Sequence, residues 1–198
     1  MSKTAVFVLG SPRRKGNTAA LARAAMECLA SRGVTPSEID APRLEFSHPG
    51  CIACHKCQKS PGYGCHVDDA LARAVNSLPG FDALVLATPV YWFSHPAQVK
   101  AFIDRIFSLI KFAPDHSLIS PLAGKPWALL ATGGGIVEEN LEVLDRQWAI
   151  PAKRIGSPYL SRLFPQCHYP PGGVVRDQAA MDKARAFGDD LADMILGS

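Results

Sequence analysis

Apolar runs that stop abruptly at glycine, proline or a small polar residue, each followed by a stretch with helical spacing, are what most constrain the fold of this chain. Ala5-Val6-Phe7-Val8-Leu9 is apolar at every position and halts at Gly10-Ser11-Pro12, which suits a strand buried on both faces. Leu21, Ala24, Ala25, Cys28 and Leu29 then recur at helical spacing, with Gly33 as the stop. Residues 81–88 read as another central strand, ended by Pro89 and followed by one helical stripe of Val99, Phe102, Ile103, Ile106, Phe107 and Ile110. Trp127 to Ala131 is a further apolar strand that runs into Thr132-Gly133-Gly134-Gly135, with a helix expected from about Val137 to Trp148. A short second strand is expected within 34–40 and a weaker, edge-like strand within 150–160. Ala180, Ala184, Phe187, Leu191, Met194 and Ile195 mark one face of a closing helix. Strand–helix alternation of this kind predicts an α/β fold with a parallel sheet covered on both faces and joined by right-handed crossovers.

The 198 residues leave room for one ordinary domain, here taken as 1–198, and 47% apolar residues supply its core. No apolar run approaches the roughly 18 residues needed to cross a bilayer, and no signal peptide is read at the N-terminus. A cytoplasmic protein with no membrane partner is therefore expected. A net charge of +3 is too mild to point to nucleic acid. In a reducing compartment six cysteines are better suited to metal or redox chemistry than to disulfides. Residues 43–66, rich in Pro, Gly, Cys and His and without a period, form a long insertion loop, and such loops inside compact domains are usually functional.

Gly10 to Thr18 lies between the first strand and the first helix, where doubly wound proteins bind phosphate. Backbone N–H groups and the positive end of the helix dipole face an anion there. Ser11, Asn17 and Thr18 add short polar donors and Arg13 a guanidinium, with Gly16 permitting close approach. The segment lacks the Lys-Ser/Thr pair of a nucleotide P-loop and is not GxGxxG, which disfavours a triphosphatase and a Rossmann dehydrogenase. The plainer alternative is a strand–helix turn in which Asn17 or Thr18 caps the helix.

Two more loops should project from strand carboxyl ends, where ligands of such sheets lie. Thr88 to His95 offers aromatic faces, and Thr132 to Gly135 a backbone that a flat ring can approach. With the cradle they suit a phosphorylated planar cofactor, flavin mononucleotide (FMN) being the natural candidate. Core packing of Tyr91, Trp92 and Phe93, and a helix-initiating turn at the triple glycine, are the structural alternatives.

Gly-Ser-Pro-Arg-x-x-Gly-Asn-Thr, the later Pro-Val-Tyr-Trp-Phe-Ser and Lys100-Ala-Phe-Ile-Asp104-Arg105 together resemble the NADPH-dependent FMN reductase branch of the flavodoxin-like proteins, over roughly residues 4–135. The resemblance implies a five-stranded parallel sheet of order 2-1-3-4-5 and an FMN-dependent NAD(P)H oxidoreductase of the flavin or quinone reductase type. The alternative is a non-enzymatic electron carrier. It also implies Ser11, Arg13, Gly16, Asn17 and Thr18 as phosphate contacts. Pro89, Val90, Tyr91 and Trp92 would border the ribityl chain and ring, and Thr132, Gly133, Gly134 and Gly135 the isoalloxazine. A nicotinamide donor, a small-molecule or protein acceptor and a homodimer or homotetramer follow from it as well. No catalytic side chain is named, because hydride transfer needs none. Lys100 and Asp104 at i,i+4 fit an ordinary surface ion pair.

Cys51, Cys54 and Cys57 at C-x2-C-x2-C, with Cys65 beyond, allow a short loop to wrap one corner of an iron–sulfur cubane while a distant thiolate completes it. The pattern resembles the compact cysteine motif of the iron–sulfur flavoproteins of the same wider family, which implies a 4Fe–4S cluster. Four thiolates also make a structural zinc site, and relatives with such loops need not carry metal, so all three states stay open. Cys28 is expected to be an inert core residue, and Cys167 has no assigned role.

Overall fold

In the computed structural model, which describes residues 2–197, the elements run β1 (Thr4–Leu9), α1 (Asn17–Ser31), β2 (Thr35–Asp40), α2 (Lys56–Lys59), α3 (Ala70–Ser77), β3 (Ala83–Pro89), α4 (Ala97–Arg105), β4 (Lys111–Phe112), β5 (Leu118–Ile119), β6 (Trp127–Thr132), α5 (Glu142–Arg154), β7 (Tyr159–Phe164) and α6 (Gln178–Leu196). Five strands make one parallel sheet in the order β2-β1-β3-β6-β7. This is the expected 2-1-3-4-5 order once the small antiparallel β4–β5 pair is set apart.

Alternating residues of the central strands feed two cores. Val6, Val8, Leu84, Leu86, Trp127 and Leu129 face one side, packed with Leu71 and Val75 of α3, Val99 and Phe102 of α4, and Leu144 and Trp148 of α5. Ala5, Phe7, Val85, Ala87, Ala128 and Leu130 face the other, against Leu21, Ala25 and Leu29 of α1 and Phe187, Leu191 and Ile195 of α6. This two-sided burial is why those strands are apolar throughout. Helices α1 and α6 meet closely at Gly188, where an added Cβ would stand 2.4 Å from the carbonyl oxygen of Ala25.

The structure corrects two expectations and adds one helix. The edge strand falls at Tyr159–Phe164 rather than within 150–160, because α5 runs on to Arg154 through Pro151. Leu144, Trp148 and Ala152 keep the buried face at four-residue spacing, and Trp148 donates its indole N–H to Ala128 O at 3.0 Å. That packing outweighs the backbone bond lost at a late proline. The stripe from Val99 to Ile110 divides into α4 and a 3₁₀ turn at Ile106–Leu109. Finally, α3 was unforeseen; Asp69 caps it by accepting from Ala72 N at 2.8 Å.

Candidate functional site

Between β1 and β3 the connections leave in opposite directions, and the carboxyl ends there frame an open cleft. Ser11, Arg13, Gly16, Asn17 and Thr18 line it from the first loop, Pro89, Val90 and Tyr91 from the second, and Thr132, Gly133 and Gly134 from the third. The first loop is a tight turn, with Gly16 N donating to Arg13 O at 2.8 Å and Arg13 N to Ser11 Oγ at 3.2 Å. A Cβ on Gly16 would lie 2.9 Å from Arg13 O, so a larger residue would force the turn open. Gly16 is also the N-cap of α1, and no side chain caps that end. The capping role considered for Asn17 or Thr18 is thus not taken up, and uncapped N–H groups are what an anion needs.

The two polar side chains link the walls of the cleft. Thr18 and Thr132 share a buried hydroxyl–hydroxyl bond of 2.7 Å, tying the first loop to the third. Asn17 donates from Nδ2 to Tyr169 O at 3.0 Å and accepts from Val174 N at 3.3 Å, so it staples the segment after β7 across the cradle. That segment is the part of the site that sequence reasoning missed. Cys167, Tyr169 and Pro171 line the cleft, and the N–H groups of Gln166 and Cys167 each donate at 2.9 Å to the carbonyls of Gly135 and Gly133. Placing the last strand correctly would have revealed it, because residues after Phe164 leave a carboxyl end just as the other loops do.

Trp92 and Gly135 do not line the cleft. Tyr91 and Ser94 exchange two backbone bonds around Trp92 and Phe93, which have φ of +47° and +58°. This is the sign pattern of a two-residue primed hairpin. It turns the Trp92 ring outward, 91% exposed. Left-handed conformations cost non-glycine residues about 1–2 kcal/mol each, and such strain clusters at functional sites. His95 follows, buried, with Nδ1 unpartnered; burial, aided by Lys100, pulls its imidazole down to about 4.

The cysteine loop forms a second recess, lined by Cys51, Cys54, Cys57 and Cys65 together with His55 and His66. Arg105 anchors it from beneath. Only 1% exposed, its guanidinium donates to Gly50 O at 2.9 Å, His48 O at 2.7 Å and Asp69 Oδ1 at 2.7 Å. Asp69 also accepts from the N–H and hydroxyl of Ser47 and from Ala72 N. Burial disfavours this carboxylate, but Arg105 and the Ala72 and Ser47 N–H groups prevail and hold it at about 2. Gly50 has φ +86° and lies against Asp104, leaving a side chain little room. Asn76 of α3 grips both the N–H and the carbonyl of Cys65. Lys100 and Asp104 form the expected ion pair, while Cys28 is half-buried and, like the other five cysteines, a free thiol.

Among the described residues no three His, Cys, Asp or Glu side chains are arranged to hold a metal ion. Tetrahedral zinc would need thiolates about 3.8 Å apart, from a bond length of about 2.3 Å. Four thiols rim this one recess, and four thiolates are the donor set that either a 4Fe–4S cluster or a structural zinc would take.

An open parallel sheet of this order, with its cleft walled by three carboxyl-end loops, defines a flavodoxin-like protein. The chain belongs to the NADPH-dependent FMN reductase family, which it matches over residues 3–145, and is an FMN-dependent NAD(P)H oxidoreductase. An iron–sulfur flavoprotein of Methanocaldococcus jannaschii is 25% identical over 198 aligned residues, covering 96% of each chain. Another iron–sulfur flavoprotein, from Archaeoglobus fulgidus, is 31% identical over 102 residues, covering 52% of this chain and 44% of that relative. Among solved structures, the NAD(P)H:quinone oxidoreductase from Methanothermobacter marburgensis aligns with a TM-score of 0.73 at 19% identity, covering 96% of this chain and all of that one. No helix among the described residues is long and apolar enough to cross a membrane.

Proposed function

We infer that FMN occupies the polar cleft with its phosphate in the Ser11–Thr18 cradle, and that a 4Fe–4S cluster occupies the Cys51/Cys54/Cys57/Cys65 recess. The observation that carries this reading is the uncapped N-terminus of α1 opening into a cleft walled by Thr132–Gly134 and Pro89–Tyr91. When bound, FMN supplies hydride acceptance from a nicotinamide and electron release singly or in pairs. Arg13 and the α1 amides would neutralise phosphate charge, while Thr18 and Thr132 hold the first and third loops at fixed separation. Gly133 and Gly134 let the ring lie against backbone. The strap at Cys167–Pro171, held by Asn17, would close the phosphate end against water. A cluster would supply a one-electron exit, with Arg105 and Asn76 keeping its four cysteines in place.

The iron–sulfur flavoprotein names of the two relatives support the cluster, and the exposed Trp92 and Phe93 beside the cleft suit a homodimer or homotetramer. Six free thiols accord with a cytoplasmic setting. The test is anaerobic purification with an absorption spectrum, FMN titration, and iron, sulfide and zinc counts. Yellow protein that oxidises NAD(P)H and carries about four irons per chain is expected. Protein that takes up no FMN at micromolar concentration refutes the cleft assignment, and zinc in place of iron and sulfide refutes the cluster. A strict monomer in sizing chromatography refutes the assembly.

A further inference from the structure

The cysteine recess contains a polar group that the fold itself does not use. Ser108 lies in the 3₁₀ turn Ile106–Leu109 after α4 and is only 3% exposed. A buried serine in a helical turn can satisfy itself by donating back to a carbonyl of the previous turn. Ser108 Oγ instead has no hydrogen-bond partner, although the residue lines the recess with the four cysteines. Its backbone is engaged: Ser108 O accepts from Gly64 N at 3.0 Å, which ties the turn to the segment bearing Cys65. A hydroxyl so placed loses its hydration with no return from the protein alone.

A second donor reaches the same wall. Gln58 Nε2 stands 3.7 Å from Cys57 Sγ and donates to Ile110 O at 2.9 Å. The carbonyl of Ile110 fixes which end of the amide is which, because the opposite orientation would set two acceptors face to face. The neighbouring cations are turned to other tasks. Arg105 serves Gly50, His48 and Asp69, and Lys111 Nζ serves the carbonyls of Cys57 and Ser60.

Resting on the reading that this recess holds an iron–sulfur cluster, we propose that Ser108 Oγ and Gln58 Nε2 donate hydrogen bonds to its sulfurs and raise its reduction potential. Reduction increases the negative charge on the sulfurs, so donors aimed at them stabilise the reduced form more than the oxidised one. A dry wall strengthens the effect.

The experiment is a redox titration of the anaerobically prepared holoprotein, following cluster and flavin together. Ser108→Ala and Gln58→Leu should keep the iron and sulfide content of the wild type and shift the cluster midpoint to lower potential. The flavin midpoint should stay where it is, and Ser108→Thr, which keeps a hydroxyl, should remain near the wild-type cluster value. Unmoved cluster midpoints overturn the proposal, and so does an equal shift of the flavin midpoint, which would signal general loosening. Should Ser108→Ala fail to assemble, Gln58→Leu and Ser108→Thr decide by the same criteria. Iron and sulfide counts on the wild type separate this outcome from a failure of the cluster reading itself: wild-type protein without a cluster overturns both.

Discussion

Asp69→Asn isolates the electrostatic anchor of the cysteine loop. The substitution preserves volume, but every partner of the carboxylate is a donor: Arg105 and Ala72 on one oxygen, Ser47 N–H and hydroxyl on the other. An amide must aim its own N–H₂ at one of these sets, and Arg105, 1% exposed, loses its counter-charge. Breaking a buried pair from one side costs about 3–5 kcal/mol, a large part of the roughly 5–15 kcal/mol that holds a domain together. Proton linkage gives a second figure of the same order. Asp69 falls from 3.8 to about 2 on folding, and at 1.36 kcal/mol per pH unit its ionisation contributes about 2 kcal/mol. Because the folded state holds the proton less tightly, that contribution is full above pH 4 and is lost as pH falls toward 2. Urea unfolding at fixed FMN concentration measures both quantities. At pH 7 the variant should lose about 2–5 kcal/mol with an unchanged m-value. Between pH 4 and 2 the wild type should lose stability more steeply than the variant. A variant within about 0.5 kcal/mol of wild type at pH 7, the range of an ordinary surface substitution, or one with the same acid slope, would refute the reasoning.

His95, held down to about 4 by burial and then Lys100, stays neutral in the folded protein. Its contribution, about 3 kcal/mol by the same linkage, is full above pH 6.5 and lost as pH falls to 4. His95→Gln should flatten the urea-derived stability profile in that window, and coincident profiles would contradict this. Gly188→Ala gains about 1 kcal/mol of helix propensity but sets a Cβ 2.4 Å from Ala25 O. Overpacking of about 1–3 kcal/mol should prevail, so thermal melting should show a lower Tm and not a higher one. Thr18→Val strands the Thr132 hydroxyl in a buried site, costing about 1–3 kcal/mol. It should weaken FMN binding in fluorescence titration, and an unchanged affinity would remove Thr18 from the cleft's working parts.

The apolar strands and the punctuation between them determined the sheet and the three loops at its carboxyl ends, because a strand buried on both faces cannot be written with polar residues. Gly10 to Thr18 and Thr132 to Gly135 were legible for the same local reason: tight turns and close approach restrict the side chains allowed. Tertiary packing decided what no local period encodes. Pro151 did not end α5, because Trp148 and Ala152 on either side of it were buried against the sheet. An end of the last strand set four residues too early therefore hid Cys167, Tyr169 and Pro171 from the cleft they line. Arg105 read as one charge in a helical motif, yet its burial beneath residues 48–50 makes it the anchor of the cysteine loop. Trp92 read as a wall of the cleft and was turned outward by two left-handed residues. Sequence spacing constrains which residues can share a face, but which distant segments press on that face depends on contacts between parts of the chain 50 to 150 residues apart, and those exist only once the chain is folded.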